Sequence, residues 1–201
     1  IINFTFPHIG VVGANFEDYE SDMIYASGCI INNPVSVASN FRSKMDFENW
    51  LKLNEKVCVS NIDTRTLTKR IRKSGACNAL IHFPESGDFE NINILKTKLK
   101  KFPSMKNLDL ASEISTRYAY KWLNQKKLRS FKVQKSFIAV IDFGIKKNIL
   151  NILSSSKYDV LVFPYNFSID EIIKMKPSGL FLSNGPGDPL ATFKKNKRNL
   201  C

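Results

Sequence analysis

Near its carboxyl end the chain carries Asn184-Gly185-Pro186-Gly187-Asp188-Pro189, directly after the apolar run Gly179-Leu180-Phe181-Leu182-Ser183. Two glycines leave the backbone without Cβ atoms, so peptide N–H groups can approach a substrate closely. The two prolines fix φ and add no donor of their own. Such a loop can preorganise an oxyanion hole, in which each backbone donor aimed at a developing oxyanion contributes about 3 to 4 kcal/mol. The same residues also make a rigid strand-to-helix turn, and composition leaves both readings open. Other chemistry-bearing residues are sparse. Cys29, Cys58, Cys77 and Cys201 are far apart with no Cys-x-x-Cys, and neither His8 nor His82 stands in a ligand spacing with them. Neither a zinc site nor a disulfide scaffold is expected. Cys29, Cys58 and Cys77 read as small core residues, His82 as packed within a strand, and His8 as structural or at an interface. Cys201 follows Arg198-Asn199-Leu200 with no flanking glycine, and it stands too close to the loop for a helix and a strand to intervene. It is not expected to act as a nucleophile.

The elements that would position the loop are the clearest in the sequence. Phe137-Ile138-Ala139-Val140-Ile141 is a continuous apolar run, followed by Asp142-Phe143-Gly144 and a helical pattern that places Ile145, Ile149, Ile152 and Leu153 on one face. Val160-Leu161-Val162-Phe163 reads as a second buried strand. Ser168-Ile169-Asp170-Glu171 is a capping box for a short helix ending before Pro177. With the run at 179–183, these make a βαβαβ unit of parallel strands covered on both faces. Ligands in such sheets bind outside the carboxyl ends of the strands, where the glycine loop lies.

Upstream, Gly28-Cys29-Ile30-Ile31 and Val57-Cys58-Val59 suit strands, with a helix at Phe47 to Leu53 after Asp46 as N-cap. Asp63 caps a further helix, with Leu67 and Ile71 on one side and Arg65, Lys69, Arg70, Arg72 and Lys73 elsewhere, stopped by Gly75. That charge run reads either as a solvated helix face or as a partner contact. Cys77 to Phe83 is expected as a strand and Ile92 to Phe102 as an amphipathic helix bearing Ile94, Leu95 and Leu99. Gln125 to Lys135 reads as a polar connection and puts the boundary between domains 1–134 and 135–201. The fold class is α/β, a mixed amino-terminal domain followed by the βαβαβ unit.

With 201 residues, 43% of them hydrophobic, the chain has enough apolar surface for a packed core, which excludes a disordered or fibrous protein. No apolar run nears the roughly 20 residues that span a bilayer, and Ile1-Ile2-Asn3-Phe4 has no signal-peptide features. Membrane and secretory classes drop out, leaving a cytoplasmic expectation. The formal charge of +12 comes with 23 Lys, 19 Asn and 20 Ile against 9 Ala and 7 Arg. That skew fits drift toward A/T-rich codons with solvated lysines, the other reading being a surface for an anionic partner. No nucleic-acid partner is expected, because Lys is spread throughout. The first methionine is Met23, and Ala191 to Leu200 shows no apolar periodicity. The chain is expected to be a fragment.

Leu182-Ser183-Asn184-Gly185-Pro186-Gly187-Asp188-Pro189, preceded by Val140-Ile141-Asp142-Phe143-Gly144 and Lys147-Asn148-Ile149-Leu150, resembles the opening of the glutaminase domain of the carbamoyl phosphate synthetase small subunit. Phe6-Pro7-His8-Ile9-Gly10, Ala38-Ser39-Asn40-Phe41-Arg42, Ile62-Asp63-Thr64-Arg65, Leu67-Thr68 and Asp109-Leu110-Ala111 before Glu113 resemble that subunit's amino-terminal domain, in the same order. The resemblance implies a class I glutamine amidotransferase sheet and a subunit that hydrolyses glutamine with a Cys nucleophile, a His base and a Glu that orients it. Ammonia would pass to a large subunit that uses ATP and Mg to make carbamoyl phosphate for arginine and pyrimidine synthesis. The amino-terminal domain would dock that large subunit, and the chain itself would hold no metal or cofactor. Transferred by resemblance, Gly185 offers its N–H to the oxyanion, and Gly185 and Gly187 contact glutamine. The family's nucleophile elbow, its His and its Glu would all lie beyond Cys201, and a serine-containing glutamine-contacting segment before Ile1. The expectation is therefore a catalytic subunit whose present segment is inert alone, the alternative being a non-catalytic module that docks the large subunit.

Overall fold

The computed structural model describes residues 1–132 and 136–196, with side chains as far as Phe193. Two compact units divide the chain, Ile1–Ser104 and Met105–Cys201.

In the first unit the order is β1 (Ile2–Asn3), β2 (Gly28–Ile30), α1 (Phe47–Leu53), β3 (Val57–Val59), α2 (Thr64–Ser74) and α3 (Ile92–Lys100). The three strands pair in parallel in sequence order, with Cys29 opposite both Ile2 and Cys58. Cys29 and Ile31 alternate onto one face and form a small core with Leu51 of α1, joined by Phe4, Phe47, Trp50 and Cys58. Asp63 caps α2 as expected, its carboxylate accepting the Thr66 N–H at 2.9 Å, and the Gly75 N–H closes the far end on the Ile71 carbonyl. The five basic side chains of α2 face solvent. Asp46 occupies the N-cap position of α1, but its side chain makes no capping bond.

Several expectations for this unit are corrected. Cys77 to Phe83 forms no strand, and Phe83 is 86% exposed. An apolar run without a partner strand has nowhere to place its amide groups except solvent. Cys77 is accordingly exposed rather than in the core. His82, in the same irregular segment, accepts the Glu90 N–H at 3.4 Å and meets the Phe89 ring edge-on. His8 is exposed beside Phe6. The helix expected from Ile92 closes at Lys100 and buries no residue.

The second unit runs α4 (Ala111–Ile114), β4 (Tyr120–Leu123), β5 (Lys126–Leu128), β6 (Phe137–Asp142), α5 (Lys147–Ser154), β7 (Asp159–Pro164), α6 (Ile169–Lys174), β8 (Gly179–Leu182) and α7 (Pro189–Asn196). Its five-stranded sheet has the order β5-β4-β7-β6-β8. The expected βαβαβ unit is present, with β6 between β7 and β8 and parallel to both. The continuous apolar runs of β6 and β7 follow from burial on both faces, whereas β8, expected to be covered likewise, is an outer strand with Leu180 48% and Leu182 61% exposed. Val140, Val160 and Val162 pack with Tyr120, Trp122 and Leu150 on the α5 side, while Phe137, Ala139, Ile141, Leu161 and Phe163 pack with Ile172 of α6 on the other. Within α5 the inward residue is Leu150, and Ile152, expected on the buried face, is 63% exposed.

The polar connection expected at 125–135 is instead partly a strand. Asn124 and Gln125 both take positive φ, 48° and 60°, the geometry of a two-residue hairpin turn joining β4 to β5. β4 then pairs antiparallel with β7, and Lys121 Nζ lies 2.8 Å from Asp159 Oδ1 in a mostly covered ion pair. Because β4 and β5 belong to this sheet, the compact units divide after Ser104 and not at residue 134. Residues 191–196, which lack apolar periodicity, are helical in α7, where Asp188 and Pro189 supply the start signal. Cys201 and residues 133–135 lie outside the described residues.

Candidate functional site

The glycine loop leaves the carboxyl end of β8, beside the carboxyl end of β6, because the two strands run parallel in register from Ile138 opposite Gly179 to Ile141 opposite Leu182. Asp142 organises the β6 end. It is only 5% exposed, and its carboxylate accepts three backbone N–H groups: Thr116 at 2.7 Å on Oδ2, and Gly144 and Ile145 at 2.8 and 2.9 Å on Oδ1. Ser183 links the two strand ends. Its hydroxyl accepts the Phe143 N–H at 2.9 Å and donates to the Asn184 carbonyl at 2.8 Å.

The loop's two glycines answer to close packing. A Cβ on Gly185 would stand 2.1 Å from the Phe143 carbonyl oxygen. One on Gly187, whose φ is +88°, would stand 2.6 Å from the Leu108 carbonyl. Neither position admits a side chain without moving backbone. Asp188 then fastens the loop to the segment before α4. Its N–H donates to the Leu108 carbonyl at 2.9 Å and its carboxylate accepts the Asn107 N–H at 2.9 Å. The same carboxylate caps α7 through the Leu190 N–H at 3.0 Å, with Pro189 at the first helical position. One turn later the Thr192 hydroxyl, 5% exposed, donates to Asp109 Oδ1 at 2.8 Å. Asp109 also accepts the Ser112 N–H at 3.2 Å, which joins α4 to the same network.

Against this frame lies a cleft of about 520 Å³ lined by Ile141, Phe143, Phe167, Ile169, Leu182, Leu190 and Phe193, with Tyr165, Asn166, Ser183, Thr192 and Gly185 among the residues that add polar or backbone groups. No charged side chain lines it among the described residues. Gly185 is exposed and borders the cleft, and none of the hydrogen bonds formed among the described residues uses its N–H. Gly187 is half-buried and packs against Leu108 and Leu110. The arrangement is a tightly packed loop at the carboxyl end of a parallel strand, with the exposed Gly185 in the lining of a largely apolar cleft. That suits polarisation of a carbonyl oxygen better than binding of a cation. Among the described residues no group of three or more His, Cys, Asp or Glu side chains could hold a metal ion, and no helix is long and apolar enough to cross a membrane.

The parts of the site not read from the sequence are the anchors. The Asn107–Ala111 segment ends 73 residues before Asn184 opens the loop and carries no apolar pattern that would announce it. The only local signal was Asp188 before Pro189, a cap and first-turn pair. Asp142, ending an apolar run, signalled only a turn.

Comparison with known proteins gives the site its context. Residues 1–81 match the family model described as carbamoyl-phosphate synthase small chain, CPSase domain, and residues 139–200 match glutamine amidotransferase class-I. The carbamoyl phosphate synthase small chain of Zymomonas mobilis is 42% identical over 198 residues, covering 96% of this chain and 53% of that relative. The small chain of Bartonella henselae is 41% identical, covering 96% of this chain and 50% of its own length, and that of Salmonella typhimurium is 38% identical, covering 94% and 51%. The chain thus spans about half the length of the curated relatives it matches. With this identity across almost every residue, and with both family models falling in the expected order, the chain belongs to the carbamoyl phosphate synthase small chain family.

Proposed function

We propose that the protein to which this chain belongs hydrolyses glutamine and delivers the ammonia to a large subunit that makes carbamoyl phosphate, and that residues 183–189 supply the oxyanion loop of that site. The observation that carries the reading is the exposed Gly185 in the lining of the cleft, in a loop held by Phe143, Leu108 and Asn107. When a cysteine thiolate adds to the glutamine side-chain amide, the carbonyl oxygen gains a full charge. A fixed N–H pointing at that oxygen lowers the barrier by about 3 to 4 kcal/mol. Loss of ammonia then leaves a thioester, whose hydrolysis passes through a second oxyanion at the same donor. In this reading Gly185 and Gly187 both contact glutamine, and the positive φ of Gly187 also sets the loop's course. ATP and Mg belong to the large-subunit partner in this reading, and the setting is the cytoplasm.

Residues 105–201 contain no histidine and, apart from Cys201, no cysteine. The segment therefore provides the electrostatic part of the site without a nucleophile and base pair. Removal of a hydrolase nucleophile costs on the order of 10⁶ in rate. The test is glutamate release from glutamine, measured on the purified chain and on the full-length small chain with its large subunit. The expected result is turnover by the full-length protein and none by this chain. Turnover by the chain that survives replacement of every cysteine would overturn the assignment of roles, and absence of turnover in the full-length complex would favour a purely docking subunit.

A further inference from the structure

Cys29 and Cys58 are 29 residues apart in sequence and directly opposite one another on the parallel strands β2 and β3. Adjacent strands lie about 4.8 Å apart, within the roughly 4.4–6.8 Å span of Cα separations that a disulfide bridges. Both side chains join the same small core, so both project from one face of the sheet. Next to the pair, the strands are drawn close. Gly28 stands opposite Val57, and a Cβ there would lie 2.5 Å from the Val57 carbonyl oxygen. Cys29 is 4% exposed, whereas Cys58 is half-buried and the more accessible residue of the two.

We propose that Cys29 and Cys58 form an oxidisable thiol pair, which a peroxide converts to a reversible disulfide joining β2 to β3. In the first step the Cys58 thiolate attacks one peroxide oxygen, the O–O bond breaks, and Cys58 becomes a sulfenic acid as hydroxide departs. In the second, the Cys29 sulfur attacks the Cys58 sulfur. The S–O bond breaks, and the Cys29 proton leaves with the hydroxyl as water. The peroxide is reduced by two electrons, and the two thiols are oxidised by two. Burial, reinforced by the neighbouring Cys58 sulfur, pushes the Cys29 thiol up to about 12, which makes it the resolving partner and leaves the first attack to Cys58. In a reducing compartment such a bond is transient.

The test uses the chain with Cys77→Ser and Cys201→Ser, which removes the competing thiols. Hydrogen peroxide is added to the native protein and, in parallel, to protein in urea, followed by non-reducing peptide mapping and thiol titration. The expected result is loss of both remaining thiols, a linked peptide pair lighter by two hydrogens, reversal by dithiothreitol, and linkage at least tenfold faster in the native state. Linkage no faster than in urea would overturn the proposal, because the sheet would then not be holding the thiols together. So would Cys58 accumulating as sulfinic acid beside a free Cys29, or a native protein inert to peroxide. The Cys29→Ser variant provides the second check. Dimedone should trap its Cys58 sulfenic acid, and dimedone should fail to do so in the unsubstituted pair.

Discussion

Replacing Asp142 should unfold the second unit selectively, in graded steps. Asp142→Ala removes the acceptor from three N–H groups in a position 5% exposed. A hydrogen bond to a charged group is worth about 1.5–3 kcal/mol, and a buried donor left unpaired costs about 1–3 kcal/mol. Gly144 and Ile145 are half-buried, so water recovers part of their loss, and the net expectation is about 3–5 kcal/mol. Asp142→Asn is milder. Its remaining oxygen still serves Gly144 and Ile145, but its NH₂ must face the Thr116 N–H, donor against donor, for about 1–3 kcal/mol. The assay exploits the two tryptophans, one in each unit. Trp122, 2% exposed with its Nε1–H donating to Asn151 Oδ1 at 3.0 Å, reports the second unit, and Trp50, bonded to the Tyr19 hydroxyl at 2.7 Å, reports the first. Urea unfolding is followed by fluorescence in Trp50→Phe and Trp122→Phe backgrounds. With a slope near 1 kcal/mol per M, Asp142→Ala should lower the Trp122 midpoint by about 3 M or abolish the transition, with the Trp50 midpoint unchanged. Equal losses for Asn and Ala, or losses under about 0.5 kcal/mol for both, would refute the hydrogen-bond argument.

Further expectations concern the loop and the surface charges. Gly185→Ala forces a Cβ to 2.1 Å from the Phe143 carbonyl, so it should cost about 1–3 kcal/mol by overpacking and lower kcat in the full-length protein more than it raises KM. An unchanged Trp122 midpoint would show that the loop yields easily. Asp188→Ala, which loses the α7 cap and the tie to Asn107, should cost about 2 kcal/mol and so lower the same midpoint by about 2 M, with Asp188→Asn restoring at least half, as urea titration will show. Acid should weaken the first unit. Hydrogen bonds from Asn15 and Arg42 hold Asp18, the Thr66 N–H holds Asp63, and Lys98 holds Glu90 below the ordinary values of 3.8 for aspartate and 4.5 for glutamate. A depressed folded-state value favours folding above the ordinary value, and that contribution disappears as pH falls through the folded one. The Trp50 midpoint should therefore drop between about pH 5 and pH 3, and a midpoint flat over that range would contradict the assignment.

What the sequence disclosed depended on whether each element's residues carried their own pattern. Phe137–Ile141 and Val160–Phe163 are apolar because helices cover both faces of β6 and β7, and with the run from Gly179, half-exposed as an outer strand, their punctuation sufficed to place the βαβαβ unit and the loop after it. Lys126-Lys127-Leu128 told the opposite story. As an outer strand it is exposed at every residue, and lysines on a sheet edge look like those of a linker. Cys77 to Phe83 had strand-like composition without a neighbour to pair with, and pairing is a property of the whole chain rather than of the segment. In the site, Gly185 and Gly187 were legible as an approach position, but their immediate neighbours, Phe143 and Leu108, were not. The Cys29–Cys58 opposition was hidden for the same reason, since register between strands leaves no mark on either strand's letters.

The antiparallel hairpin has a consequence for how the polypeptide is made. Tyr120 pairs with Val162 and Trp122 with Val160, so the hairpin is synthesised ahead of its partner and skips over β6 to reach it. At about 5–20 residues per second, the ribosome needs roughly 2–8 s to cover that interval. During it, two of the largest aromatic rings of the future core have no surface to pack on. A pause before residue 164 would prolong that exposure, and codons translated quickly between β5 and β7 would shorten it, so the cost of this topology falls on the nascent chain rather than on the folded protein.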